Sequence, residues 1–145
     1  MKILIAEDDP ICSLVLQRLL EPYVDCEKVA NGKEAVAAFT EAIAAGSPYD
    51  LLLLDIMMPE MGGQDVLKEV RKIEEDRGII YPEGVTIIMT TDLDDSGTLA
   101  EAFQSRCNAY FVKPITEKHL MMVIKEFFPN FGGGADLPAG TESPS

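Results

Sequence analysis

Tryptophan is absent from this 145-residue chain, histidine occurs once, and cysteine only three times. The cysteines, Cys12, Cys26 and Cys107, are scattered and odd in number. No CxxC or Cys/His cluster joins them, so neither a disulfide frame nor a zinc centre is expected. They read instead as small apolar residues. Positive charge is scarce too: 12 Lys and Arg stand against 25 Asp and Glu, for a net charge of −13. Nucleic-acid binding requires neutralised phosphates, and this balance disfavours it. The expected partners are proteins, cations, or both. No apolar run reaches the roughly 18 residues of a membrane span. The opening MKILIAEDD is too short and too acidic for a signal peptide, so a cytoplasmic protein is expected. What the chain does have is apolar material, 47% of its residues, enough for the core of about one domain.

That material is ordered as alternating strands and helices. Lys2 to Ala6 (KILIA) reads as a strand. Asp9 then caps a helix with Pro10 at its first position, and Ile11, Leu14, Val15, Arg18 and Leu19 give helical spacing. A weaker strand covers Val24 to Val29. Asn31-Gly-Lys-Glu34 has the form of a capping box before an Ala-rich helix to about Ala45, which Gly46-Ser47-Pro48 ends. A third strand runs from Tyr49 to Leu54, followed by a long loop from Asp55 to Gly63. Val66, Leu67, Val70 and Ile73 mark a third helix. Residues Glu74 to Gly84 read as a loop, and Val85 to Thr90 as the fourth strand. Asp94, Asp95 or Ser96 caps a helix to about Arg106. Ala109 to Val112 is the fifth strand, broken by Lys113-Pro114. Thr116 caps a last helix with Leu120, Val123, Ile124 and Phe127 on one face. Five β-α units predict an α/β fold, a parallel sheet with helices on both faces. Residues 1–128 form the expected domain. From 129 to 145 Gly, Pro and Ser dominate without periodicity, which reads as a disordered tail or linker.

Why does LLLLDIMMPEMGG, the greasiest segment, run into a carboxylate? In an open parallel sheet, ligands bind beyond the carboxyl ends of the strands. Strand 1 ends in Glu7-Asp8-Asp9, strand 3 in Asp55, strand 4 in Thr90-Thr91, and strand 5 in Lys113-Pro114. One rim thus gathers several acids, a hydroxyl and an ammonium. Like charges at about 4 Å cost roughly 4 kcal/mol per pair at an effective dielectric of 20, so a cation is needed. Hard oxygen donors in a partly open site suit Mg²⁺. A carboxylate beside Mg²⁺ and Lys113 can attack a phosphoryl group, with Thr90 donating to its oxygens.

With ILIAEDDP, LLLLDIMMPEMGG, IIMTT and AYFVKPI in this order, residues 1 to about 128 resemble the receiver domains of two-component response regulators. The resemblance implies a flavodoxin-like (βα)5 fold with strand order 2-1-3-4-5. It implies that Asp55 is the phosphoacceptor, and that Glu7, Asp8, Asp55 and the backbone carbonyl of Met57 hold Mg²⁺. Thr90 and Lys113 would contact the phosphoryl group, Tyr110 would be the aromatic switch that moves with Thr90, and the Lys113-Pro114 bond would be cis. The implied donor is a sensor histidine kinase or a histidine phosphotransfer protein. The implied chemistry is limited to the domain's own phosphorylation and dephosphorylation, not turnover of a metabolite. Output would pass to a protein target through the Asp94–Arg106 helix, the fifth strand and the last helix. That helix carries few large apolar residues, chiefly Leu99 and Phe103, so it should shift at low cost.

Departures from the family pattern lie at Thr91, where a very small residue is usual, and in the longer segment EEDRGIIYPEGV. Met57 and Asp92 border the expected water path. The same residues fit a free-standing receiver, a piece of a larger regulator or hybrid kinase, or a binding-only relative. Homodimerisation through the output face is compatible with the sequence but not demanded by it. A Mg²⁺-dependent aspartyl phosphatase would carry an acid where Met57 stands. A flavin protein would want a Ser/Thr/Gly-rich phosphate loop where the chain has EDDP.

Overall fold

The computed structural model describes residues 1–92, 100–102 and 104–131. Its elements are β1 (Ile3–Ala6), α1 (Pro10–Leu20), β2 (Cys26–Val29), α2 (Gly32–Ala44), β3 (Leu51–Asp55), α3 (Gly63–Asp76), β4 (Thr86–Thr91), β5 (Ala109–Val112) and α4 (Glu117–Phe127). The five strands form one sheet in the order β2-β1-β3-β4-β5. All neighbours are parallel. The parallel pairing is what the alternation of elements predicts, and the order is the flavodoxin-like one that the family resemblance implies. The expected caps Asp94, Asp95 and Ser96, together with Leu99 and Phe103, lie outside the described residues. Residues 100–102 and 104 are helical.

The central strands are buried on both faces because helices cover a parallel sheet from both sides. Leu4, Ala6, Leu52, Leu54, Ile87 and Met89 point into one cluster with Phe39 of α2 and Val66, Leu67 and Val70 of α3. Ile3, Ile5, Leu51, Leu53 and Ile88 leave the opposite face and are equally buried. Alternation along β3 therefore sends Asp55 to the same side as Leu51 and Leu53.

Capping follows the side chains that sequence supplies. Asp9 Oδ1 accepts the Ile11 amide at 2.9 Å, with Pro10 in the first turn of α1. Asn31 Oδ1 accepts Glu34 N at 2.9 Å, while Glu34 Oε1 reaches back to the Ala30 amide at 3.0 Å. The reciprocal bond of the capping box thus falls one residue before the cap.

Two helices show more than spacing predicts. Helix α1 buries Ser13, Leu16 and Leu20. Ile11, Leu14 and Val15, whose spacing marks the helix, are exposed at 72%, 43% and 44%. The helix carries two apolar stripes, and the one facing β1 includes a serine that a hydrophobicity count passes over. Helix α3 also runs past Ile73 to Asp76. Glu74 is 2% exposed rather than part of a solvated loop. Its carboxylate accepts Arg71 Nη1 at 2.8 Å and Val85 N at 2.7 Å. Arg71 in turn donates to the carbonyls of Val85 and Arg106 and to Asn108 Oδ1. A buried ion pair survives only when its remaining donors and acceptors are satisfied, and here they are. The long 74–84 segment is tied down through this network, at the rim opposite Asp55.

Residues from Ile115 onward form a second compact unit. Within it, Thr116 caps α4 by accepting His119 N at 3.2 Å. Leu120 and Ile124 are buried. A turn at 129–131 follows the helix and Phe131 is 6% exposed. Residues 132–145 of the expected tail lie outside the described residues.

Candidate functional site

Each acid at the rim is delivered by the end of a strand. Glu7 follows β1, and its amide donates to Val29 O at 3.1 Å, which continues the β1–β2 ladder by one step. Asp55 is the last residue of β3 and pairs with Thr90 in register. The Ile56 amide extends that pairing to Thr90 O at 2.9 Å. Lys113 follows β5, fixed by its amide on Thr91 O at 2.7 Å. The Lys113–Pro114 bond is cis.

Carboxylate oxygens of Glu7, Asp8 and Asp55 all lie within 4.8 Å of one another. Glu7 and Asp55 are buried, while Asp8 is exposed at the mouth. Lys113 Nζ sits 2.8 Å from Glu7 Oε1 and 3.6 Å from Asp55 Oδ2. The first contact is at ion-pair distance without hydrogen-bond alignment, since Glu7 Oε1 has no hydrogen-bond partner. Glu7 Oε2 accepts the Asp9 amide at 3.2 Å, and Asp55 Oδ1 accepts the Met57 amide at 3.2 Å.

The electrostatics show a surplus of negative charge. Burial pushes the Asp55 carboxyl up to about 7, and the neighbouring Glu7 adds to the rise. Lys113 and the Met57 amide oppose it without cancelling it. For Lys113, burial works against the charged form, but Glu7 and Asp55 outweigh it and raise its pKa. Among the described residues, three carboxylates face one ammonium, which calls for a further cation. Hard oxygen donors that partly face solvent fit Mg²⁺, which keeps several waters. The donor set present therefore suits that ion.

Thr90 is 1% exposed and leaves the sheet on the side of Asp55. Met57, just beyond Asp55, is 63% exposed. Tyr110 lies on the edge strand β5, 37% exposed, while Phe111 next to it enters the core. Beside Glu7 and Asp8 lies a groove of about 330 Å³ lined by Pro10, Ser13, Lys28 and Glu34 among others. Sequence reasoning missed Cys12, whose thiol donates to Asp9 Oδ2 at 3.4 Å on this rim. Its spacing of three from a helix cap was the available signal.

The sequence pattern of the response regulator receiver domain matches residues 3–125. The transcriptional regulatory protein CiaR of Streptococcus pneumoniae is 34% identical over 134 residues, covering 91% of this chain and 53% of CiaR. The chain spans about half, or less, of the length of the curated relatives it matches. Among solved structures, the receiver domain of yeast (Saccharomyces cerevisiae) Ssk1 is 27% identical and superposes with a TM-score of 0.78, covering 90% of each chain. It was crystallised with the histidine phosphotransfer protein Ypd1. The receiver of sensor histidine kinase PA1611 from Pseudomonas aeruginosa, 26% identical with a TM-score of 0.72, covers 88% of this chain and 97% of its own. That structure holds a magnesium ion in its active-site cleft. With its strand order, its acids at the strand ends and this match over nearly the whole folded part, the chain belongs to the response regulator receiver domain family.

Proposed function

We propose that this receiver is a phosphorylation switch that takes a phosphoryl group onto Asp55 from a phosphohistidine of a sensor histidine kinase or histidine phosphotransfer protein. The observation that carries the reading is the meeting of Glu7, Asp8, Asp55 and Lys113 at one rim. An Asp55 oxygen attacks phosphorus, a P–O bond forms, and the P–N bond to the donor imidazole breaks. The freed nitrogen takes up a proton. Glu7, Asp8, Asp55 and the Met57 carbonyl are the residues that would hold Mg²⁺, which when bound neutralises charge on the transferring oxygens. Lys113 supplies the second positive charge, and Thr90 donates its hydroxyl to a phosphoryl oxygen. Hydrolysis reverses the modification: water attacks phosphorus, the bond to Asp55 breaks, and inorganic phosphate leaves. The chemistry is confined to the protein's own side chain.

Signal output follows from movement of Thr90 toward the phosphoryl group and of Tyr110 with it. A protein target reads the change at the β5 edge, in the cytoplasm. The test is transfer from a phosphorylated histidine phosphotransfer protein in Mg²⁺, followed on a phosphate-affinity gel. The label should move to this chain and fail to move to Asp55→Asn. Transfer to that variant, or none to the wild type, overturns the assignment.

A further inference from the structure

The segment after Asp55 closes on itself through glycines. The Gly63 amide donates to Ile56 O at 3.0 Å. A Cβ on Gly63 would sit 2.4 Å from the Asp55 carbonyl oxygen, so α3 starts against the backbone of the acceptor itself. A second, tighter approach comes from elsewhere in the chain. A Cβ on Gly32, the first residue of α2, would lie 2.0 Å from Met61 O and 2.7 Å from Met61 C. These are backbone atoms, which no side-chain rotation can move aside. Gly32 therefore lets the 56–62 loop rest on the first turn of α2. That turn is itself held by Asn31 Oδ1 on Glu34 N and Glu34 Oε1 on Ala30 N.

From this contact we infer that Gly32 is a positioning residue for the acceptor loop. It sets the backbone that runs from Asp55 through Met57 to Gly63 without touching the reacting atoms. The inference rests on the proposed phosphoryl and Mg²⁺ chemistry of Asp55, which it deepens. The seat on α2 adds a backbone contact to a loop whose own bonds include Met61 N to Pro59 O and Gly63 N to Ile56 O. Any added carbon at position 32 must push Met61 outward or tilt α2, and Met57 lies in the same short loop.

The test compares Gly32→Ala with wild type in two measurements. In metal-free protein, amide exchange at residues 56–63 should speed up, while exchange in β4 stays unchanged. By calorimetry, Mg²⁺ affinity should fall about tenfold, the size typical when a group that orients metal ligands is lost. Gly46→Ala is the control. Gly46 ends the same helix region at φ +76° with nothing near its Cβ position. That variant should lose stability but keep wild-type Mg²⁺ affinity. Should Gly32→Ala fail to fold, Asn31→Ala decides, because it frays the same turn without adding atoms and should loosen the loop in the same direction. A folded Gly32→Ala with wild-type exchange and affinity, or a frayed turn in Asn31→Ala with an unchanged loop, overturns the inference. Failure of the wild type to bind Mg²⁺ would instead overturn the proposed function, and the exchange comparison would still judge the seat.

Discussion

Among the described residues, Lys113 is the single fixed positive charge against Glu7 and Asp55, at 2.8 and 3.6 Å. Removing it leaves two buried carboxylates facing each other. Lys113→Ala should destabilise the metal-free protein at pH 8 by about 3–5 kcal/mol, as for other broken buried pairs. Urea unfolding measures it, and the loss should shrink when Mg²⁺ supplies the missing charge. Cys107 offers a pH test away from the site. It is 1% exposed, and burial pushes its thiol up to about 11. A thiol whose folded pKa lies above its unfolded value binds its proton more tightly when folded. Its contribution to stability is therefore complete below the ordinary thiol range and is lost as pH rises toward 11. At pH 8 only about one Cys107 in a thousand is thiolate, so alkylation should be slow in native protein and fast in denaturant. Rapid native labelling at Cys107 would contradict its placement in the core.

Elements were legible where one stripe or one strand end carried the signal. LLLLD could be read as a buried strand ending at a rim because no polar residue interrupts it. In helix α1 two apolar stripes share eleven residues, and spacing alone does not say which one the sheet takes. The structure makes this testable. Leu16→Ala should cost about 2–5 kcal/mol as a core truncation, whereas Leu14→Gln on the exposed stripe should change stability by less than about 0.5 kcal/mol. Equal losses would mean the helix is rotated. The Arg71–Glu74 network was illegible for a different reason. Charged residues near a Gly- and Pro-containing segment look solvated, and only tertiary packing brings Val85, Arg106 and Asn108 to them. Glu74→Ala strands a buried guanidinium and the Val85 amide, and should cost roughly 3 kcal/mol in urea unfolding. Mg²⁺ affinity should hardly move, since the network lies at the opposite end of the sheet. The approach of Gly32 to Met61 left no trace in the sequence beyond a glycine in a cap, because it depends on where two distant segments settle.

At the scale of the molecule, strand order does the work that no single motif does. β1 and β3 are neighbours, β4 follows β3, and β5 follows β4. Residues at the ends of four parallel strands thus meet at one rim, although up to 106 positions separate Glu7 from Lys113. This is why the acids, Thr90 and Lys113 could be grouped from sequence: the parallel topology follows from the β-α alternation, and the rim follows from the topology. The surplus of carboxylate there predicts metal-linked stability. Mg²⁺ at ten times its dissociation constant should raise unfolding free energy by about 1.4 kcal/mol, and Asp8→Ala should remove most of that gain.

The most direct measurement of the central claim is intact mass after incubation with Mg²⁺ and a small phosphodonor such as acetyl phosphate. The account predicts the gain of one phosphoryl group by the wild type, none by Asp55→Asn, and loss of the label over time as the acyl phosphate hydrolyses. Labelling of Asp55→Asn to the wild-type extent would contradict it, because the group would then reside on a different side chain.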